Sequence, residues 1–322
     1  MLRQLALNTT VASDATFWFP EQASTIAPGV DWVYYFIYWV SVFFFVLLMV
    51  GMTIFALKSK RKKGVQNEAR AGHNNLLEIV WTAIPSLIVI AMFYFGVTTY
   101  LDMRQPPADA YPINVTGIKW AWSFTYPNGH VEPELHVPVN QPVKLTMTSE
   151  DVIHSFFVPA FRVKQDVVPG RYTTLWFEAT KTGEFQVFCT EFCGTKHSDM
   201  LSKVIVHPEG EFEKWLAGAA DSTAGMPLAE AGAKLFEKQG CKQCHSIDGA
   251  TGVGPSMKGL WEKTENLTGG ATVKVDENYI RESILEPTAK VVNGFPPAMP
   301  TYAGRIKDKE ITAIIEYVKT LK

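Results

Sequence analysis

Two short stretches of this 322-residue chain concentrate the residue types that do metal and redox chemistry. The first is CTEFCGTKHSDM, which supplies Cys189, Cys193, His197 and Met200 at offsets 0, 4, 8 and 11; His154 stands upstream in EDVIHSFFVP. Two thiolates, two imidazoles and a thioether form a soft donor set suited to copper and to zinc. The second stretch is CKQCH, with Cys241, Cys244 and His245. Two thiols three residues apart match the two haem vinyl positions, and the adjacent His can serve as an axial ligand. These pairs account for all four cysteines of the chain. Close pairs point to metal or cofactor chemistry, whereas a disulfide framework ties distant segments together.

The donor set of the first stretch leaves three readings open. A disulfide between Cys189 and Cys193 is one. A structural zinc on Cys2His2 is another, although a β-rich domain with its own core has no need of it and Met200 would be idle. Copper is the third and is favoured by ligand count, because a weak axial Met belongs to electron-transfer copper sites. A single copper needs only one Cys and two His. The second Cys lets two thiolates bridge two coppers, each capped by one His, with Met200 a weak ligand to one and a backbone carbonyl near Glu191 to the other.

These residues must be held by elements of very different texture. Trp32–Leu57 and Ile79–Leu101 are runs of 26 and 23 residues without Asp, Glu, Lys or Arg. Each reaches the roughly 20 residues that span a bilayer as helix. Trp32, Tyr34, Tyr35 and Tyr100 suit interfacial anchors. The intervening 58–75 loop carries six Lys/Arg (Lys58, Lys60, Arg61, Lys62, Lys63 and Arg70) against Glu68 alone. It is therefore expected on the cytoplasmic side of a bacterial-type inner membrane, with both termini and everything after residue 102 on the periplasmic or outer side. Residues 1–30 show no cleavable signal pattern.

Residues 103–208 change to short β-rich runs such as Val143–Met147, Tyr172–Phe177, Phe185–Phe188 and Val204–Val206, punctuated by Pro, Gly and Asn, which reads as an antiparallel sandwich or barrel. Trp120, Trp122, Phe124 and Tyr126 alternate as on a half-buried strand. A linker is expected over 209–222, in which DSTAGMPLAEAG begins, and a third domain over 223–322, where AGAKLFEKQG and DKEITAIIEYVKTL have helical period around the CKQCH turn. That segment holds 13 Lys/Arg and 12 Asp/Glu, so composition shows no one-sided docking charge. The net charge of −2 likewise offers no argument for nucleic acid.

HSFFVPAFRVKQDVVPGRYT followed by CTEFCGTKHSDM, together with LLEIVWTAIP, KWAWSFTYP and the two-span hairpin, closely resembles subunit 2 of the haem–copper cytochrome c oxidases up to about residue 208. The CKQCH segment is similar over its whole length to the small class I cytochromes c. The resemblance implies a two-helix transmembrane hairpin, an all-β cupredoxin Greek-key domain and an all-α class I cytochrome c domain. It implies a dinuclear copper A centre on His154, Cys189, Glu191 through its carbonyl, Cys193, His197 and Met200. It further implies electron input to copper at Trp120, and a Mg²⁺ or Mn²⁺ shared with subunit 1 at the Glu191 side chain. Glu78 matches a carboxylate near the mouth of a proton channel in subunit 1, although a capping role at a helix start remains open for it. Covalent haem c would hang from Cys241 and Cys244, its iron held by His245 and a downstream Met. Met299 in FPPAMPTY is preferred because such ligands precede Pro; Met257 is the second choice.

The reading is thus subunit 2 of a proton-pumping oxidase with its electron donor fused on, partnered by the catalytic subunit 1 and by subunit 3. Oxygen chemistry belongs to subunit 1, so no catalytic residue is expected here, and the donor to haem c is open. One alternative is a membrane-tethered electron shuttle without an oxidase partner. A nitrous-oxide-reducing enzyme would need a large His-rich domain, and this chain has 7 His.

Overall fold

The computed structural model describes residues 15–60, 72–219 and 225–322. The two apolar runs form helices α1 (Ala27–Lys58) and α2 (Asn75–Arg104), longer at both ends than the uncharged stretches. Pro in the first turn opens α1, and the Asn74 side chain caps α2 by accepting from the Leu77 amide, so helix continues into the polar flanks. At 1.5 Å per residue they are about 48 and 45 Å long, enough to cross a hydrocarbon core of roughly 30 Å. Phe43, Phe55, Leu87 and Phe93 project outward from them unburied, as lipid-facing side chains do. Arg61, Lys62, Lys63 and Arg70 of the basic loop lie outside the described residues.

The middle domain is a sandwich of two five-stranded sheets. One has β1 (Tyr111–Ile118), β2 (Ala121–Thr125), β3 (Val131–Glu132), β5 (Pro142–Ser149) and β8 (Thr173–Glu178) in the order β3-β2-β1-β5-β8. The other has β4 (Leu135–Pro138), β6 (His154–Val158), β7 (Val163–Val167), β9 (Gly183–Cys189) and β10 (Leu201–His207) in the order β4-β10-β9-β6-β7. Neighbours far apart in sequence, such as the parallel pairs β1 with β5 and β4 with β10, are crossovers between sheets of the Greek-key kind. The aromatic alternation behaves as read: Trp120, Trp122, Phe124 and Tyr126 are all buried in the core between the sheets. Period two sends alternate side chains inward, and these four share one face.

Arg162 fastens this sandwich to α1. Its guanidinium grips Asp31 through two bonds of 2.8 and 2.9 Å and also donates to the carbonyls of Pro20 and Pro159, both partners of the ion pair being buried. At the other helix, Trp176 Nε1 donates to the Asp102 carbonyl.

The expected 209–222 linker is in part a correction. Residues Glu211–Ala219 form helix α3, whose Phe212 is buried in the sandwich core and whose Trp215 stacks on the His136 ring at 4.0 Å. Two aromatics one turn apart bury too much surface to remain a tether. Leu228–Lys238, beginning inside the expected polar run, is already helix α4.

The third domain packs α4 against α6 (Asp308–Thr320), with α5 (Glu277–Leu285) alongside and a core of Leu235, Phe236, Ile280, Ile284, Ile311, Ile314, Ile315 and Val318. A methyl group at Gly232 would fall on the Ala313 carbonyl, so glycine lets the two backbones touch. A short hairpin, β11 (Thr264–Asn266) with β12 (Thr272–Lys274), turns at Gly269–Gly270 within this otherwise helical domain.

Candidate metal centre and haem pocket

The soft donors converge because three neighbouring strands end together. His154 opens β6 and Cys189 closes β9; the two strands pair with Phe156 opposite Cys189. Met200 precedes β10, which pairs with β9 from Leu201 opposite Phe188. The intervening loop therefore folds back over the strand ends. Gly194 within it has φ of +120°, and a side chain there would also press on the Trp120 indole at 3.3 Å.

The two sulfurs stand 3.8 Å apart, far beyond the ~2.05 Å of a disulfide, and both thiols are free. Around them the partners divide. Cys189 Sγ has His154 Nδ1 at 3.9 Å and the Glu191 carbonyl at 3.3 Å, while Cys193 Sγ has His197 Nδ1 at 3.5 Å and Met200 Sδ at 3.8 Å. The donor atoms of His154, Cys189 and Cys193 lie within 4.8 Å of one another, and His197 falls outside that group. A single tetrahedral metal would need both imidazoles inside it, since metal–ligand bonds of about 2.0–2.3 Å hold all four donors close together. One imidazole beside each sulfur instead gives a donor set that would fit two metal ions.

The surroundings prepare the donors. His154 Nε2 bonds Asp151 Oδ1 at 2.8 Å, which leaves Nδ1 turned toward Cys189. Burial disfavours the His154 cation, but Asp151 and Cys189 outweigh it and raise its pKa. Burial also opposes a Cys189 thiolate, yet hydrogen bonds to His154 and to the backbone at Ser155 and Glu191 bring that thiol below its usual range. Cys193 is pushed up by burial and by the charge on Cys189. A pair that resists carrying two negative charges unaided is one that a cation between the sulfurs would satisfy. Gly117 completes the cradle, since a methyl there would come within 3.0 Å of the His154 ring.

In the third domain, Cys241, Cys244, His245, Met257 and Met299 line one apolar cavity with Phe236, Leu260, Ile284 and Tyr302. His245 Nδ1 bonds the Pro255 carbonyl at 2.8 Å, so Nε2 is the free ligating nitrogen, and burial lowers its pKa and keeps it neutral. A methyl at Gly254 would sit 2.5 Å from His245 Cε1, so glycine admits the imidazole. The apolar lining and free thiols of this cavity fit a covalently held haem. Met299 and Met257 both reach it, so lining does not by itself choose between them.

Two expected residues lie elsewhere. Glu78 is in the first turn of α2 and bonds the His73 imidazole at 2.7 Å, an exposed pair at a helix N-terminus. The Glu191 side chain is exposed beside Phe192. Sequence reading passed over Asp151, although its position three residues before His154 was a signal. It also passed over the His136–His207 pair, bonded at 2.8 Å, because only strand register sets those rings face to face.

A membrane-anchored chain with a two-thiolate metal loop on a β-sandwich and a haem-type pocket in a helical domain defines a class of redox relay proteins. The matching family models are the transmembrane domain of cytochrome c oxidase subunit II over residues 12–97, its periplasmic domain over 128–207, and cytochrome c over 229–322. Cytochrome c oxidase subunit 2 of Thermostichus vulcanus is 34% identical over 61% of this chain and 76% of its own length. That of Alkalihalophilus pseudofirmus is 30% identical over 86% of this chain and 84% of its own. A solved periplasmic domain of subunit II of cytochrome oxidase from Bradyrhizobium japonicum aligns with 37% of this chain at 36% identity and a TM-score of 0.35. The chain belongs to the cytochrome c oxidase subunit 2 family, with a cytochrome c domain fused at its C-terminal side.

Proposed function

We propose that this chain is the electron-relay subunit of a proton-pumping cytochrome c oxidase. When bound, a haem c and a dinuclear copper A centre would supply one-electron redox chemistry, taking electrons inward to haem in subunit 1, where O2 is reduced to water. The observation that carries this reading is the symmetrical donor set, each sulfur with its own imidazole and its own weak donor.

His154, Cys189, Cys193 and His197 are the proposed strong copper ligands, with the Glu191 carbonyl and Met200 as weak ones. Their work is to hold a nearly fixed shell through both oxidation states, and anchoring the set on three paired strands serves that. Cys241 and Cys244 would hold haem covalently, with His245 and Met299 as axial ligands; Met299 is preferred because the Pro300 that follows it stiffens its loop. Trp120 is the proposed point at which electrons come in to copper. Its buried indole lies against Gly194, the residue after the ligand Cys193. The exposed Glu191 and Phe192 lie within the copper loop, between its two cysteines, and suit a contact with subunit 1, where a shared Mg²⁺ or Mn²⁺ would be held by the Glu191 carboxylate. The basic 58–75 loop supports a cytoplasmic hairpin turn with the soluble domains on the periplasmic or outer side. At the cytoplasmic end of α2, Glu78 would lie at a proton-channel mouth of subunit 1, and subunit 3 would complete the assembly.

The test is purification of the chain in mild detergent from its own membranes. Expected are haem c absorbance bands, two coppers per chain and a copurifying multispan haem subunit. Copper and haem c without that subunit would favour the tethered shuttle. Absence of copper after reconstitution would sink the relay reading.

A further inference from the structure

The segment before α1 is bonded to both sheets of the sandwich. The Ala23 amide donates to the Ala160 carbonyl, between β6 and β7, and the Thr25 amide to the Glu178 carbonyl at the end of β8, each at 3.0 Å. The Thr180 amide donates back to the Ala23 carbonyl at 3.0 Å, and Lys181 pairs with Glu21. Arg162, which holds Asp31 of α1, also reaches the Pro20 carbonyl at 2.7 Å and lies 4.9 Å from the centre of the Phe19 ring. Residues 19–25 are thus fixed at the joint between α1 and the sandwich.

From Phe19 back to Thr16 the chain lies along α1 itself. The Phe19 ring meets Tyr34 edge-on at 4.7 Å, the Thr16 hydroxyl bonds the Tyr35 hydroxyl at 2.9 Å, and Trp18 meets Tyr38 at 5.9 Å. Tyr38 comes seven positions after Asp31, so at 1.5 Å per residue it stands about 10 Å farther along the helix from the ion pair. The segment therefore reaches the level of the uncharged run that begins at Trp32, where its first aromatics suit the membrane interface.

Two large rings project from this segment uncovered. Phe17 is 91% and Trp18 52% exposed, and they meet edge-on at 5.0 Å as one aromatic pair. The surface continues onto the span: Trp39, whose ring meets Tyr38 at 5.2 Å, is 63% exposed. No charged residue interrupts Ala15–Pro20. Uncharged aromatic surface continuous with a membrane helix fits the boundary between headgroups and acyl chains, where a Trp ring can bury its apolar body and keep its N–H wet.

We propose that residues 15–20 form an interfacial hook that buries Phe17 and Trp18 in the bilayer leaflet nearer the soluble domains. The hook is a third membrane contact beside the two spans. Because it is fixed at the Asp31–Arg162 joint, it limits how far α1 can sink or tilt, and so sets the height of the sandwich above the lipid. It needs neither copper nor haem and goes beyond the relay function.

The test uses the intact chain with its copurifying subunits, in vesicles of phosphatidylcholine and phosphatidylglycerol. The vesicles contain a phosphatidylcholine with a photoactivatable diazirine on its acyl chain, and the irradiated protein is digested for mass spectrometry. Lipid adducts are expected on Phe17 or Trp18 within about threefold of the yield on the most heavily labelled residue of α1 or α2, the control for reagent reach. They should exceed by about tenfold those on Tyr172, which is 76% exposed on the copper domain. Labelled spans without adducts on residues 15–20, the result if a protein subunit covers the segment, overturn the hook. So does labelling of Phe17 and Trp18 by a water-soluble diazirine as heavily as Tyr172, which would place both rings in water.

Discussion

Cys193 stands 3.8 Å from Cys189 and has its own imidazole, so Cys193→Ser removes one of the two proposed bridging sulfurs. Metal analysis of that variant should find one copper per chain or fewer; two coppers would defeat the bridging assignment. His136 makes a separate residue-scale prediction. Burial first, and then the neighbouring His207, pull its pKa down from 6.5 to about 4, while Glu132 pulls the other way and His130 and Lys238 add to the depression. The unfolded chain takes up a proton near pH 6.5 that the folded chain refuses until about pH 4. Across that window the unfolded state binds more protons, so acidification costs stability. The thermal midpoint of the copper domain should fall from pH 6.5 toward 4, and less steeply in His136→Gln. Parallel profiles would show that this imidazole is not the responsible group.

At the level of elements, two contacts decide whether the pieces hold together. The crossing of α4 and α6 leaves no room for a Cβ at residue 232, where a methyl would strike the Ala313 carbonyl and crowd Tyr317. Overpacking against backbone cannot relax by a rotamer change, so Gly232→Ala should destabilise the cytochrome domain by roughly 2–3 kcal/mol. Following the haem bands during thermal melting would register this as a lower midpoint. The Arg162–Asp31 pair is the corresponding joint between α1 and the sandwich. Arg162→Ala strands a buried carboxylate and two carbonyls, and should cost about 3–5 kcal/mol in urea unfolding of the copper domain. A loss below about 1 kcal/mol would mean that the pair behaves as an exposed one.

Across the whole molecule, tethering turns an encounter between a carrier and its acceptor into an intramolecular event at high effective concentration. Two ion pairs join the cytochrome domain to the copper domain, Lys238 with Glu132 at 2.8 Å and Arg305 with Glu150 at 3.2 Å, and these supply orientation. Salt screens exposed charges within about 10 Å at 0.1 M, and the partly exposed Arg305–Glu150 pair should feel this more than the half-buried Lys238–Glu132 pair. Raising ionic strength to 0.5 M should therefore slow haem-to-copper transfer severalfold in the native chain, and less in Arg305→Gln. Equal salt dependence in the two would show that the Arg305–Glu150 pair does not orient the domains.

Much of this chain was legible in its amino-acid order because the governing constraints are local. Uncharged runs of bilayer length, the CKQCH spacing and the Trp120–Tyr126 alternation each state their role within one segment; the fold forms the two long helices and buries the four aromatics. The offsets of Cys189, Cys193, His197 and Met200 named the donor types but left copper, zinc and a disulfide open. Tertiary structure set the sulfurs 3.8 Å apart with a separate imidazole beside each, an arrangement that depends on how β6, β9 and β10 pair. It also turned the expected 209–222 linker partly into packed helix, because Phe212 and Trp215 gain only from surfaces that exist after the sandwich forms. The cationic face of the cytochrome domain was invisible for the same reason. Lys238 and Arg305 are 67 positions apart, and only the folded chain sets them side by side against the carboxylates of another domain.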